Sequence, residues 1–255
     1  MLLTIDVGNT NTVFAVFRGS DCVLESRVET NSARMADQYA VMLDGVLRLH
    51  NVNRSDISGA IVSSVVPPVI KQVREAVKRL TAHKVLVIGP GIKTGLNIKI
   101  DNPAELGSDL VCGAVAAKSF YSAPCIVIDL GTATKLSALN KYGDLTGVVL
   151  ATGVGVGFKA MSETTAALPL VGIEMPQKAI GTNTTDSIRS GIIYGTACML
   201  DGLIERMEAE IGETCSVVAT GGFSEVIVPY CKREIEVNRS LVAHGLRIIY
   251  EKNVV

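Results

Sequence analysis

The chain has 255 residues, 48% of them hydrophobic and 19% charged, with 24 basic side chains against 25 acidic ones for a net charge of −1. With no Lys/Arg cluster, no tryptophan and aromatics at only 4%, it lacks the basic face or stacking platform that nucleic-acid binding needs. No apolar run reaches the roughly 20 residues that span a bilayer, and the start of the chain lacks the basic stretch of a signal peptide, so a cytoplasmic protein with no membrane partner is expected.

Strands are predicted over Leu2–Asp6, Asn11–Phe17 and Cys22–Val28, separated by turn residues at Gly8–Thr10 and Gly19–Asp21. This is a meander: a dinucleotide fold sends its first glycine turn straight into a helix, and Val13–Phe17 is too β-prone for that. Asn31 or Ser32 is expected to cap a helix running to His50, with Tyr39, Met42, Val46 and Leu49 three or four apart. A buried strand at Ala60–Val65 ends at Pro67-Pro68, followed by a helix over Lys71–Leu80, a strand at Val85–Ile88 and a loop rich in breakers, Gly89–Gly95. Asn102-Pro103 opens a helix drawn to Tyr121, with Asp109 in its first half.

The second half repeats the opening: strand, turn, strand, a turn at Lys141–Asp144 and a third strand over Leu145–Leu150. Gly147 to Gly157 contains four glycines and reads as a second binding loop. A helix over Phe158–Ala167, a loop through Pro176, a long helix from Thr184 to Ile211, a strand entering the Gly221-Gly222 turn and a last helix over Ser240–Glu251 complete the pattern. The order describes an α/β protein of two duplicated domains with mixed sheets, residues 1–121 and 122–255. Six scattered cysteines and three isolated histidines, His50, His83 and His244, form no zinc pattern, so the thiols read as reduced and mostly buried. The mean hydropathy of +0.36 points to an apolar face covered by a partner subunit.

The duplication is sharpest at two hairpins, Asp6-Val7-Gly8-Asn9-Thr10-Asn11-Thr12-Val13 and Asp129-Leu130-Gly131-Thr132-Ala133-Thr134, almost half the chain apart. Each is an apolar strand ending in aspartate, then a glycine turn with small amide or hydroxyl residues. Glycine permits close backbone approach and positive φ, exposed N–H groups and small polar side chains cradle phosphate oxygens, and a carboxylate holds the accompanying magnesium. A single Asp-x-Gly also builds an ordinary hairpin through an Asx turn. Two at matching positions favour a nucleotide-phosphate cleft between the two domains.

Together with Ser63-Ser64-Val65-Val66-Pro67, the run from Gly89 to Asn97, Gly181 with Asn183-Thr184, Ser190-Gly191 and Ala219-Thr220-Gly221-Gly222, these hairpins resemble type III pantothenate kinase along nearly the whole chain. That family belongs to the actin-like, ribonuclease-H-like superfamily of phosphotransferases. The resemblance implies transfer of the ATP γ-phosphate to the primary hydroxyl of pantothenate, the first committed step of coenzyme A biosynthesis. It implies that Asp6 through Val13 hold the ATP phosphates, with Asp6 organising magnesium, and that Thr132, Gly221 and Gly222 lie on the ATP side. Asp109 falls on the general base, Asp129 on a potassium or ammonium ligand, and Ile100, Gly107, Ser108, Asp109, Leu110 and Thr184 on pantothenate contacts. A homodimer is implied as the active unit.

The chain departs from the family pattern in places. Where the family carries an arginine after its aspartate, this chain has Leu110; a tyrosine facing pantothenate aligns with Ile100; Thr-Ala-Thr-Thr becomes Thr132-Ala133-Thr134-Lys135; and the loop over Thr146–Gly153 is altered. All three substitutions are expected on the acceptor side. A lost charge-assisted hydrogen bond at residue 110 corresponds to about 1.5–3 kcal/mol, so two alternatives stand beside the pantothenate kinase. One is a diverged nucleotide-binding paralogue with a regulatory or partner-subunit role; the other is a kinase for another small hydroxyl compound.

Overall fold

The computed structural model describes residues 1–81, 83–164, 168–169 and 171–254. They form two compact units, one of Met1–Leu96, Asn102–Ala116 and Ser240–Val255, the other of Asn97–Asp101 and Ala117–Arg239. The first holds strands β1 (Leu2–Val7), β2 (Asn11–Arg18) and β3 (Asp21–Glu29), helix α1 (Ala36–Leu49), β4 (Gly59–Ser64), α2 (Pro67–Leu80), β5 (Val85–Val87) and the start of α3 (Ser108–Phe120). The second holds β6 (Cys125–Leu130), β7 (Ala133–Leu139), β8 (Leu145–Thr152), α4 (Val154–Thr164), α5 (Thr184–Ile211), β9 (Ser216–Thr220), the short α6 (Ser224–Ile227) and β10 (Glu236–Val237). Helix α7 (Leu241–Val254) returns to the first unit.

The sheet orders are β3-β2-β1-β4-β5 and β10-β9-β6-β7-β8. In both, the central strand pairs antiparallel with the hairpin strand that follows it and parallel with the later crossover strand. The two units therefore share one topology, and the duplication read from the hairpins is a duplication of the whole mixed sheet. The central strands β1 and β6 are apolar along almost their whole length because both of their faces are covered. In the first unit Leu3, Ile5, Val7, Phe14 and Val16 pack against Tyr39, Leu43 and Leu47 of α1 and Val69, Val73 and Val77 of α2. In the second, Ile126, Ile128, Leu130 and Leu136 pack against Val154 and Phe158 of α4 and Ile188, Ile193, Ala197 and Leu200 of α5.

Several boundaries move for physical reasons. Asn31 spends its side chain on the Ala33 N–H (2.9 Å) and its carbonyl on the Tyr39 hydroxyl (2.9 Å), so α1 starts only at Ala36, where Gln38 Oε1 accepts the Met35 N–H at 2.8 Å. Pro67 and Pro68 open α2 instead of merely ending β4, as suits residues whose missing N–H falls in a first turn. Asn102 caps a single 3-10 turn at Pro103–Glu105, and α3 begins afresh at Ser108, which places Asp109 at a helix N-terminus.

The glycine-rich stretch from Gly147 to Gly157 is not a loop: β8 runs to Thr152 and α4 starts at Val154. The expected end of that helix at residues 165–167 lies outside the described residues. Helix α7 packs on β1, β2 and β4, so the last helix, which a division at residues 121/122 puts with the second half, groups with the first sheet. Gly245 makes this possible, since a Cβ there would lie 1.9 Å from the Cys112 carbonyl oxygen of α3.

Candidate active site

In the first unit Asp6 is the penultimate residue of β1, facing Val13 across the hairpin and Ser63 on the parallel neighbour β4. The hairpin is held from below: Gly8 N–H donates to Asn11 O (3.0 Å), and Thr30 donates its N–H to Thr10 O (2.9 Å) and its hydroxyl to Gly8 O (2.8 Å). Buried Thr12 meets the Thr30 hydroxyl at 2.9 Å. Asn9, Thr10 and Asn11 are left exposed at the tip. Among the described glycines, positive φ belongs to Gly19, Gly91, Gly95, Gly143, Gly212 and Gly221. Gly8 and Gly131 therefore serve their turns through the missing Cβ and not through left-handed backbone.

Two serines tie this hairpin to α3. Ser63 Oγ donates to Ser108 Oγ at 2.8 Å, and Ser108 Oγ donates to the Ser64 carbonyl at 3.2 Å. Asp109 follows, its Oδ1 accepting the Leu110 N–H at 2.9 Å, at the positive end of the helix dipole. A Cβ on Gly107 would lie 2.5 Å from Asp109 Oδ1, so only glycine leaves that carboxylate where it is. Cys112 reports on the same locality. Burial, then the negative charges of Asp6 and Asp109, push its thiol well above the ordinary range, against a hydrogen bond with Ser63. The thiol is fully buried and protonated, hence inert.

In the second unit the matching residue Asp129 faces Lys135 on β7 and Thr220 on β9. Lys135 Nζ stands 2.6 Å from Asp129 Oδ2, with both side chains mostly covered. Around them the backbone is close. Gly221, at φ +93°, has no room for a Cβ, which would lie 2.6 Å from the Leu130 carbonyl and 2.7 Å from Asp129 Oδ1; at Gly153 a Cβ would lie 1.9 Å from Thr132 O. Phe223 N–H donates to Leu130 O at 3.2 Å and Ser224 Oγ to Gly221 O at 2.8 Å. Asp129, Thr132, Gly221 and Gly222 thus form one glycine-walled patch. Lys135 joins this patch, because cross-strand register aims it at Asp129.

The expected acceptor residues divide between the units. Gly107, Ser108, Asp109 and Leu110 lie in the first, with Leu110 half-buried. Ile100 lies on Asn97–Asp101, which is bound to β8 of the second by Leu145 N–H to Asn97 O (2.9 Å), Lys99 N–H to Leu145 O (2.8 Å) and the Lys99–Asp144 ion pair (2.7 Å). Thr184 is exposed at the first position of α5; the cap is Asn183, whose Oδ1 accepts the Asp186 N–H at 2.9 Å. Sequence reasoning missed Ser63 and Thr30 as supports and Gly153 as a packing glycine. Gly153 had a signal in its glycine-rich context; Thr30 had none.

Among the described residues no group of three or more His, Cys, Asp or Glu is placed to hold a metal ion, and no helix is long and apolar enough to cross a membrane. The family model described as type III pantothenate kinase matches residues 2–206. Proteins named type III pantothenate kinase are 39% identical over the full length of both chains in Halalkalibacterium halodurans, and 38% identical in Moorella thermoacetica, covering 99% of this chain and 100% of that one. A third, from Koribacter versatilis, is 40% identical over 99% of this chain and 96% of its own. Component A of (R)-2-hydroxyglutaryl-CoA dehydratase from Acidaminococcus fermentans shares the fold at a TM-score of 0.58 and 17% identity, covering 98% of this chain and 96% of its own. The ethanolamine utilization protein EutJ from Carboxydothermus hydrogenoformans does so at 0.56 and 14%, covering 97% and 89%.

Proposed function

The chain belongs to the type III pantothenate kinase family, and we propose that it transfers the γ-phosphoryl group of ATP to the primary hydroxyl of pantothenate. The observation that carries the reading is the link between two carboxylates in the first unit: Asp6 faces Ser63 on β4, and Ser63 bonds Ser108, the residue before Asp109, at 2.8 Å. One carboxylate sits at a phosphate-type hairpin, the other at a helix N-terminus beside it. In this reading the exposed tip of the Asp6–Val13 hairpin binds the ATP phosphates, while Thr132, Gly221 and Gly222 contact the nucleotide.

Phosphoryl transfer rests on positioning and on neutralising charge. The hydroxyl oxygen forms a bond to the γ-phosphorus, the bond to the bridging oxygen breaks, and ADP leaves with the electron pair. A carboxylate is far too weak a base to ionise an alcohol beforehand, so Asp109 orients the hydroxyl and accepts its proton late. Gly107 and the Ser63–Ser108 bond keep Asp109 in place.

Magnesium fits the first unit: Asp6 is a hard oxygen donor beside an exposed hairpin, and that ion takes one or two carboxylates plus phosphate oxygens and water. When bound it neutralises phosphate charge. A free monovalent cation on Asp129 does not fit in the same way, because an ammonium group already lies on that carboxylate. The reading extends to a homodimer acting in the cytoplasm.

Leu110 and Ile100 favour a second reading, a kinase for another small hydroxyl compound, since both are apolar at positions assigned to the acceptor. A coupled ADP-release assay with ATP and magnesium separates the two. Turnover with pantothenate that disappears in Asp109→Asn supports the main reading; turnover only with another alcohol selects the second; ATP binding with no turnover on any alcohol contradicts both.

A further inference from the structure

The two hairpins differ at one register position. Opposite Asp6 stands Val13; opposite Asp129 stands Lys135. Directly opposed residues of an antiparallel pair point to one face with their Cβ atoms about 5 Å apart, so the lysine stem must fold back for its ammonium to reach the carboxylate, and it does, at 2.6 Å from Oδ2. The other carboxylate oxygen lies against the walls at Gly131 and Gly221, where an added Cβ would come within 3.2 Å and 2.7 Å of it. On its far side Lys135 faces Leu150 of β8, an apolar and exposed residue. Of the side chains facing Lys135 across either strand, the carboxylate is therefore the charged one.

A lysine ammonium is a compact point charge with three donors. A free monovalent cation on Oδ2 would have to displace it or sit at contact distance from a like charge. The tether also gives the ammonium a high effective concentration that no change in bulk salt alters.

We infer that Lys135 is a built-in cation: its ammonium takes the place at Asp129 that a free potassium or ammonium ion was expected to occupy, so the kinase works without a monovalent cation. The inference rests on the proposed kinase reading for its kinetic arm only. Lys135 is a positioning residue here, acting through Asp129 and the patch at Thr132 and Gly221.

The test compares the wild-type chain with Lys135→Thr and Lys135→Met in buffers where potassium is replaced by tetramethylammonium. Wild-type turnover should change less than about twofold on adding potassium, while Lys135→Thr should lose about tenfold or more without it and regain it with potassium or free ammonium. Wild-type activation of about tenfold by potassium overturns the inference, as does a Lys135→Thr variant equally active in both salts. Thallium(I) binding followed by thallium-205 NMR supplies a readout independent of turnover. Saturable binding in Lys135→Thr and Lys135→Met but not in the wild type supports the inference; equal binding in all three overturns it. Absent turnover of the wild type in every salt is a failure of the kinase reading, and the binding comparison then still decides the inference.

Discussion

Replacing Gly107 by alanine should separate catalysis from folding. Gly107 has ordinary backbone, but its missing Cβ is occupied: the added carbon would lie 2.5 Å from Asp109 Oδ1 and 3.5 Å from Val65 Cγ1. The first distance is roughly 1 Å short of van der Waals contact, the second is acceptable. The Asp109 carboxylate is the end of a flexible side chain, so it yields by rotating, at about 0.5–1.5 kcal/mol. For a residue that orients the attacking hydroxyl, misplacement by about 1 Å is worth on the order of a hundredfold in rate, equivalent to roughly 2.7 kcal/mol of transition-state stabilisation. Gly107→Ala should therefore lower kcat in a coupled ADP-release assay by about a hundredfold. The ATP affinity should be preserved and the thermal midpoint should move by only a few degrees. A variant with wild-type kcat would refute the placement of Asp109 as the group that handles the hydroxyl proton. A variant that unfolds would refute the claim that the clash is relieved by a side chain.

Other outcomes follow from the same geometry. Leu110→Arg combined with Ile100→Tyr should lower the KM for pantothenate by about tenfold or more, since it adds a charge-assisted and a neutral hydrogen bond; an unchanged KM means the pocket is built on other residues. Gly221→Ala forces a side chain into left-handed backbone and against the Leu130 carbonyl, so chemical denaturation should show a loss of about 2–5 kcal/mol, and a loss below about 1 kcal/mol counts against that packing. His244 packs edge-on against Phe17 at 5.0 Å, and burial, then the Arg247 charge, lowers its pKa against a smaller opposing effect of Glu25. The unfolded chain takes up a proton as the pH falls below about 6.5 while the folded one resists, so stability present above that pH is lost as the pH drops towards the lowered value. His244→Phe should flatten that part of the curve in urea titrations; equal acid loss in both proteins would contradict it.

Much of the fold was legible because it is written in periodicity and repetition. The apolar runs ending at Asp6 and Asp129 gave both central strands, and the twin hairpins gave the duplication now seen in both sheet orders. Long α5 was readable almost to the residue, because Asn183-Thr184 and Gly212 punctuate it. What was not legible depended on three-dimensional neighbours. Nothing local says that Asn31 will prefer an Asx turn to capping, or that α7 will return to the first sheet through Gly245. The glycines at 147–157 looked like a loop because composition cannot distinguish a glycine that bends the chain from one, such as Gly153, that admits another backbone. At the site, Asp6 and Asp109 were legible in the sequence, but their link through Ser63 and Ser108 was not. The ion pair of Lys135 with Asp129 was not legible either, since pairing register is invisible until β6 and β7 are aligned.

The central claim is transfer of phosphate to pantothenate with Asp109 at the hydroxyl. Its most direct test incubates the protein with ATP carrying a labelled γ-phosphate, magnesium and pantothenate, and identifies the labelled product by mass. The account predicts label on the primary hydroxyl of pantothenate, lost in Asp109→Asn while ATP binding persists. Label remaining on ATP in the wild-type reaction, or transfer undiminished in Asp109→Asn, would contradict it.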